Sequence, residues 1–244
     1  MAKIRSDQLL VDRGLVESRS KAQALILAGL VFSGERKIEK AGQVLAEDAP
    51  IEVRGREHPW VSRGGIKLAH GLEHFGWDVT GAIGLDVGSS TGGFTDVLLQ
   101  KGAAKVFAVD VGTNQLAWKL RSDPRVVVHE QTNARYLTAD IVTEPVDIVV
   151  CDASFISLAK VLDTAIDFVK PGGRLIALVK PQFEAERGEI GKGGVVRDPA
   201  VHLRVSQAAA AWIESRGWRV EGIVQSPITG PEGNVEFLLG ATRT

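Results

Sequence analysis

The chain has 244 residues, of which 44% are hydrophobic and 24% charged, and its net charge is −1 at neutral pH. This balance excludes a fibre or a disordered tail, gives no whole-chain sign of nucleic-acid binding, and leaves room for one large domain or a medium one with a small companion. A single cysteine, Cys151, excludes intramolecular disulfides and suits a reducing compartment, and its neighbours Val149 and Val150 predict a buried core position.

No run reaches the roughly 20 apolar residues of a membrane span, and the opening Met-Ala-Lys-Ile-Arg-Ser-Asp lacks the apolar stretch of a signal peptide. The expected location is the cytoplasm. The first 67 residues carry 12 Lys and Arg against 9 Asp and Glu, and the remainder 17 against 21. A modestly basic head on an acidic body points to a polyanion partner.

Residues 6–13 read as a short helix with Ser6 as N-cap and Gly14 as the stop. Ser18 caps a second helix from Arg19 to Ala28, ended by Gly29. Its stripe of Ala22, Leu25, Ile26 and Leu30 leaves Arg19 and Lys21 free to face outward. Val31-Phe32, a turn at Gly34, Val44-Leu45 and Ile51-Glu52-Val53 then read as short strands of a small sheet.

Two short helices joined by a glycine and followed by a hairpin resemble the S4 RNA-binding domain, most closely in Arg5-Ser-Asp-Gln-Leu-Leu-Val and Ser20-Lys-Ala-Gln-Ala-Leu-Ile-Leu-Ala-Gly-Leu-Val. The resemblance implies a small α+β module that presents Lys3, Arg5, Arg13, Arg19, Lys21, Arg36 and Lys37 to structured RNA by shape and phosphate. The alternative is a module whose charges are merely solvated.

A Pro- and Gly-bearing linker precedes the next part, and its Ser62-Arg63-Gly64-Gly65 is a candidate phosphate contact through Arg63. The expected boundaries are 1–58 for the first module, 59–65 for the linker and 66–244 for the second domain. A helix from Ile66 to Phe75 follows, carrying Lys67. Within it His70-Gly-Leu-Glu73-His74 spells the H-x-x-E-H pattern of inverted zinc proteases. A catalytic zinc needs a third protein ligand, and Gly71 weakens the helix that would hold both imidazoles, so no metal is expected.

From Ala82 onward strands and helices alternate, which predicts a parallel sheet covered by helices. The expected strands are Ala82–Val87, Lys105–Asp110, Val126–His129, Asp147–Asp152 and Arg174–Lys180, with helices Gly93–Gln100, Asn114–Leu120 and Phe155–Val169 between them. Asp198 and Pro199 start a helix that runs to about Arg216, and Trp218–Gln225 and Glu232–Ala241 form a final hairpin-like pair at the sheet edge.

The stretch Gly84–Thr95, with its glycine turn, is the candidate small-molecule site. Its glycines allow close backbone approach, and the helix start offers N–H groups to electronegative atoms. The spacing Asp86-x-Gly88-x-x-x-Gly92-Gly93 departs from the dinucleotide fingerprint, and the Gly-Lys-Ser/Thr of a phosphate loop is absent. What remains is an acid at a strand end beside a glycine turn, which suits an amino-acid moiety such as that of S-adenosylmethionine. A tight turn without a ligand is the alternative.

Ligands of open parallel sheets bind at the strands' carboxyl ends, where Asp86, Asp110, Asp152 and Lys180 fall. Asp110 is placed to accept the two hydroxyls of a cofactor ribose, and Thr132-Asn133-Ala134-Arg135 to line its base. Acids at strand ends also serve as simple turn residues.

Lys67, then Asp86-Val-Gly-Ser-Ser-Thr-Gly-Gly-Phe-Thr, Cys151-Asp-Ala-Ser-Phe, Val179-Lys-Pro-Gln-Phe-Glu and Asn234-Val-Glu-Phe, in that order, resemble the FtsJ-type ribose 2′-O-methyltransferases. With the S4-like module in front, the whole resembles the TlyA group of rRNA 2′-O-methyltransferases, also named hemolysins. The resemblance implies a Rossmann-like α/β fold with a mainly parallel sheet and an antiparallel edge strand. It also implies S-adenosylmethionine as cofactor, ribosomal RNA or ribosomal subunits as partner, and a catalytic tetrad that falls on Lys67, Asp152, Lys180 and Glu236.

The same resemblance implies a cofactor pocket of Asp86, Gly88, Ser89, Ser90, Thr91, Gly92, Gly93, Phe94, Asp110, Val111, Asn133, Ala134 and Asp152. Thr91 departs from the Pro of many relatives. The chemistry needs such a tetrad because a ribose hydroxyl must lose its proton as it attacks the methyl group. Lys180 is the candidate base, which requires desolvation or a neighbouring cation such as Lys67 to favour its neutral form. Pro181 holds it extended.

The glycine-rich loop 184–197 follows, with Arg187, Lys192 and Arg197 as candidate phosphate contacts. Two other functions compete with the enzyme: a membrane-active cytolysin, and an RNA-binding factor with an inactive methyltransferase fold.

Overall fold

The computed structural model describes residues 3–54 and 58–244. The chain divides into two compact units, the first built on the residues up to Pro59 together with Ala117–Lys119 and the second on Trp60–Leu116 and Leu120–Thr244.

The first unit runs β1 (Lys3–Arg5), α1 (Ser6–Asp12), α2 (Arg19–Leu27), β2 (Val31–Ser33), β3 (Arg36–Lys37), β4 (Val44–Ala46) and β5 (Glu52–Val53). Its strands make two small sheets where one was expected: β1 pairs antiparallel with β4, and β2 lies between β3 and β5. Leu9, Leu10, Ala22, Ile26, Val31, Ile38 and Ile51 form its core. Ser18 caps α2 as expected, accepting from the Lys21 N–H, and Gly14 and Gly29 close the two helices at positive φ.

Ser6 is not a cap. Arg5 occupies that position, and the buried Ser6 hydroxyl donates to the carbonyls of Lys40 and Ala41, partners that local sequence does not reveal.

The second unit begins with α3 (Gly64–His74), two residues earlier than the sequence suggests. Then come β6 (Ile83–Val87), α4 (Gly93–Gln100), β7 (Lys105–Val109), α5 (Trp118–Arg121), β8 (Val126–His129), β9 (Val146–Cys151) and α6 (Leu158–Leu162). They are followed by β10 (Val169–Val179), α7 (Pro181–Glu184), α8 (Pro199–Ser215), β11 (Trp218–Gln225) and β12 (Phe237–Arg243). Seven strands form one Rossmann-like sheet in the order β11-β12-β10-β9-β6-β7-β8. It is parallel from β10 to β8, while β12 is antiparallel to both β10 and β11, the edge strand.

Strand order reverses between β6 and β9, which pair with Val87 opposite Cys151. Their carboxyl ends therefore flank the crevice in which such sheets take ligands.

Three expected elements are shorter or shifted, each for a local reason. Phe155 adopts a left-handed φ of 64°, so no helix can start there, and α6 waits until Leu158. Asn114 has a φ of 53°, and the Glu130 carboxylate takes the N–H groups of Asn114, Gln115 and Leu116, so this segment turns before α5 forms. Gly233 turns at a φ of 90° and β12 starts only at Phe237, which leaves Glu236 just ahead of the strand. By contrast α8 starts as expected, with Asp198 accepting from the Ala200 N–H and Pro199 in the first turn.

Candidate active site

The glycine turn after β6 is held by backbone bonds that glycine makes possible. The Gly88 and Ser89 N–H groups donate to the Val109 carbonyl at 2.9 and 3.1 Å, and the Gly92 N–H donates to Ser89 at 2.7 Å. Gly88 has a φ of 78°, and a Cβ there would sit 3.0 Å from the Ala153 backbone, so the turn after β9 packs directly on it.

Asp86 is 1% exposed, and its Oδ2 accepts from the Thr95 N–H at 2.9 Å and the Thr95 hydroxyl at 2.7 Å. Its Oδ1 is buried and has no hydrogen-bond partner among the described residues. Burial pushes the Asp86 carboxyl up to about 7, against the opposing effect of the Thr95 bonds. A buried carboxylate oxygen lacking a donor fits an ammonium-bearing ligand at this turn.

Asp110, just past β7, is already engaged. Its carboxylate accepts from Ser90 N–H at 2.8 Å and Gly112 N–H at 2.7 Å, so it braces two loops and keeps lone pairs for further donors. Val111 beside it is 70% exposed, an apolar surface open at the strand ends. Asn133 caps a short turn by accepting from Arg135 N–H, and Ala134 and Ser89 are buried. Ser90 takes a left-handed φ of 46° and Thr91 is half-buried. Phe94 is only 3% exposed, with its ring edge toward the helix start at Gly64.

On the other side of the crevice four charged side chains meet from four separate segments. Lys67 comes from α3, Asp152 follows β9, Lys180 follows β10 and Glu236 precedes β12. Lys67 Nζ lies 2.6 Å from Glu236 Oε2 and 3.6 Å from Asp152 Oδ2. Lys180 Nζ lies 2.7 Å from Asp152 Oδ1 and donates to the Asp152 carbonyl at 3.1 Å and to Ser154 Oγ at 2.9 Å.

Lys67, Lys180 and Glu236 are all buried, and Asp152 bridges the Nζ atoms of the two lysines. Lys180 is extended at φ −111° and ψ 102°, as the following Pro181 requires. Room for Glu236 is made by Gly230, where a Cβ would stand 2.7 Å from Oε1. Such a cluster can hold a hydroxyl between an amine and a carboxylate in a largely water-free setting.

The sequence matches the FtsJ-like methyltransferase family over residues 60–243. The chain belongs to that family. It is 49% identical over 236 residues to a Mycobacterium tuberculosis protein named 16S/23S rRNA (cytidine-2′-O)-methyltransferase TlyA, covering 96% of this chain and 88% of that protein. It is 41% identical to Hemolysin A of Brachyspira hyodysenteriae, with 96% and 98% covered. A solved structure from Streptococcus thermophilus that bears a hemolysin name superposes with a TM-score of 0.77 at 42% identity, covering all of this chain and 90% of that one.

The other candidate residues fall in two places. Lys3, Arg5, Arg13, Arg19, Lys21, Arg36 and Lys37 all lie in the first unit. There the buried Asp7 pins Arg5 through two 2.9 Å bonds and accepts from Arg19 at 3.2 Å. The Arg5 guanidinium, with Gln23 and Arg19, holds the Asp7 carboxyl well below the usual range.

Arg63, Arg187, Lys192 and Arg197 are exposed in the second unit. Arg187 lines a cavity of about 700 Å³ together with Arg135, Lys160, Phe155 and Phe183. The rings of Phe155 and Phe183 stand 5.1 Å apart, and Phe155 is 90% exposed. Sequence reasoning named Arg187 and Arg135 but missed Phe155, Phe183 and Lys160 in this lining, and it missed Ser154. Both phenylalanines stood inside the quoted motifs, where an aromatic reads as core until its exposure is known.

His70 and His74 lie with ring centroids 6.2 Å apart, and among the described residues no group of three or more His, Cys, Asp or Glu is arranged to hold a metal. Cys151 is fully buried, and burial pushes its thiol up to about 12, which leaves it inert.

Proposed function

We propose that this FtsJ-like methyltransferase transfers the methyl group of S-adenosylmethionine to a ribose 2′-hydroxyl of ribosomal RNA, with Lys180 as general base. The observation that carries the reading is the buried cluster in which Asp152 joins Lys180 to Lys67 and Glu236. The relative named as an rRNA (cytidine-2′-O)-methyltransferase supports the same substrate class.

When bound, S-adenosylmethionine supplies an electrophilic sulfonium methyl. In this reading Asp86, Gly88, Ser89, Ser90, Thr91, Gly92, Gly93, Asp110, Val111, Asn133, Ala134 and Asp152 hold it, with the partnerless Asp86 Oδ1 as the acceptor for its ammonium. Lys180 takes the proton from the ribose hydroxyl as the oxygen becomes nucleophilic. Asp152 orients both the hydroxyl and the amine, while Lys67, itself held by Glu236, fixes Asp152 from behind.

Residues 1–58 act as an S4-like RNA-binding module, 59–65 as a linker and 66–244 as the catalytic domain. The basic side chains of the first module and Arg63, Arg187, Lys192 and Arg197 meet RNA phosphates. The protein works in the cytoplasm on RNA or on ribosomal subunits.

Transfer of tritiated methyl to ribosomal RNA, followed by mapping of 2′-O-methylation, tests the reading. No incorporation into naked RNA or into either subunit would sink it. The hemolysin names of two relatives point to a cytolysin instead. Among the described residues no helix is long and apolar enough to cross a membrane. Cytolysis predicts leakage from liposomes without S-adenosylmethionine, and the methyltransferase reading predicts none.

A further inference from the structure

A neutral primary amine has two N–H donors and one lone pair, and a base works only if the lone pair faces the proton it is to take. Two aligned hydrogen bonds fix the Lys180 amine, one to the Asp152 carbonyl at 3.1 Å and one to Ser154 Oγ at 2.9 Å. Asp152 Oδ1 lies nearer, at 2.7 Å, and among the described residues it accepts no aligned hydrogen bond. The charged amine gives its third direction to that carboxylate as an ion pair, so in the neutral amine this is the direction left to the lone pair while the other two bonds hold.

We infer that the Ser154 hydroxyl is a positioning residue, which together with the Asp152 carbonyl holds both N–H groups of the Lys180 amine and so turns its lone pair toward the incoming hydroxyl. This rests on the reading of Lys180 as the base. A carbonyl can only accept, so one N–H is committed to it. Ser154 then decides the rest: with its oxygen accepting the second N–H, the lone pair is left on the Asp152 Oδ1 side, where the incoming hydroxyl must bind. Without it the amine rotates about its Cε–Nζ bond and presents an N–H there for part of the time.

The backbone is shaped for this. Phe155, the next residue, takes a left-handed φ of 64° that a phenylalanine rarely adopts, and the turn it makes sets Ser154 beside Lys180. The turn is anchored at its start by the Asp152 N–H donating to the Val87 carbonyl at 3.3 Å and by the packing of Ala153 on Gly88. Ser154 itself is exposed, so its hydroxyl is not needed to fill a core.

The test uses full-length Ser154→Ala and Ser154→Thr, assayed for tritiated methyl transfer to ribosomal RNA beside Lys180→Ala, with cofactor affinity read by calorimetry. Ser154→Ala should lose about tenfold in kcat, part of what a general base contributes, with KM for RNA and the cofactor Kd unchanged. Ser154→Thr, which keeps the hydroxyl, should recover most of that loss. An unimpaired kcat in Ser154→Ala, a loss confined to KM or to cofactor affinity, or a threonine variant as poor as alanine overturns the inference. Lys180→Ala separates the two claims: full transfer there sinks the base, whereas a dead Lys180→Ala beside an unimpaired Ser154→Ala sinks only the role of Ser154.

Discussion

Lys67 and Glu236, 169 residues apart in sequence, meet as a buried ion pair with Nζ 2.6 Å from Oε2 and the Glu236 side chain 1% exposed. Removing one partner strands the other charge away from water, which typically costs about 3–5 kcal/mol, whereas replacing both by apolar groups of similar size is often near neutral. Lys67→Ala and Glu236→Ala should each lower the unfolding free energy read from urea titration by an amount in that range. The double variant Lys67→Met/Glu236→Met should regain most of the stability and still fail to transfer methyl. A double variant as unstable as the sum of the singles would show that the pair's charges are not the source of the cost.

On the proposed reading, Asp86 makes cofactor binding depend on pH. Its carboxyl is pushed up to about 7 by burial, above the unfolded value near 3.9. The folded state thus binds the extra proton, so the contribution to stability is fully present below about pH 4 and is lost as pH rises through about 7. Asp86→Asn should flatten the stability–pH curve across that window in denaturant titrations. Because an ammonium pairs with the ionised carboxylate, cofactor affinity of the native protein should rise through pH 7, and the asparagine variant should bind weakly at every pH. Calorimetry showing native-like affinity in the variant would remove Asp86 from the pocket.

Gly88 offers a sharper test of the turn. Its φ of 78° costs an L-residue roughly 1–2 kcal/mol, and a Cβ would also meet the Ala153 backbone at 3.0 Å, which cannot yield as a side chain would. Gly172 has a similar φ of 74° with nothing within 4 Å of its Cβ position. Gly88→Ala should therefore destabilise more than Gly172→Ala, and it alone should weaken cofactor binding. Equal losses in both would mean that the close approach carries no weight.

What could be read from the sequence was what glycine, proline and apolar spacing dictate locally. The bounds of α4, β8 and β11 coincide with Gly93–Gln100, Val126–His129 and Trp218–Gln225 because glycine turns or polar breaks delimit each run. Long-range partners escaped it. Ser6 reads as a cap until the Lys40 and Ala41 carbonyls are seen to claim its hydroxyl, and Asn114 reads as a helix start until Glu130 takes the neighbouring N–H groups.

At the site, strand-end logic pointed to Asp86, Asp110, Asp152 and Lys180, while Lys67 and Glu236 came from resemblance alone. No local signal marks a helical lysine or a residue just before the last strand. The exposed Phe155 and the Lys180–Ser154 bond depend on a left-handed turn that no residue type announces.

The central claim is that Lys180 is the base of a ribose methyl transfer. Its most direct test is tritiated methyl incorporation into ribosomal RNA by the native protein and by Lys180→Ala, with cofactor Kd measured on both. The account predicts 2′-O-methylation by the native protein, a loss of at least about a hundredfold in the variant, and a cofactor Kd that stays within a few-fold. Robust transfer by Lys180→Ala, or a collapse of cofactor binding along with the activity, would contradict it.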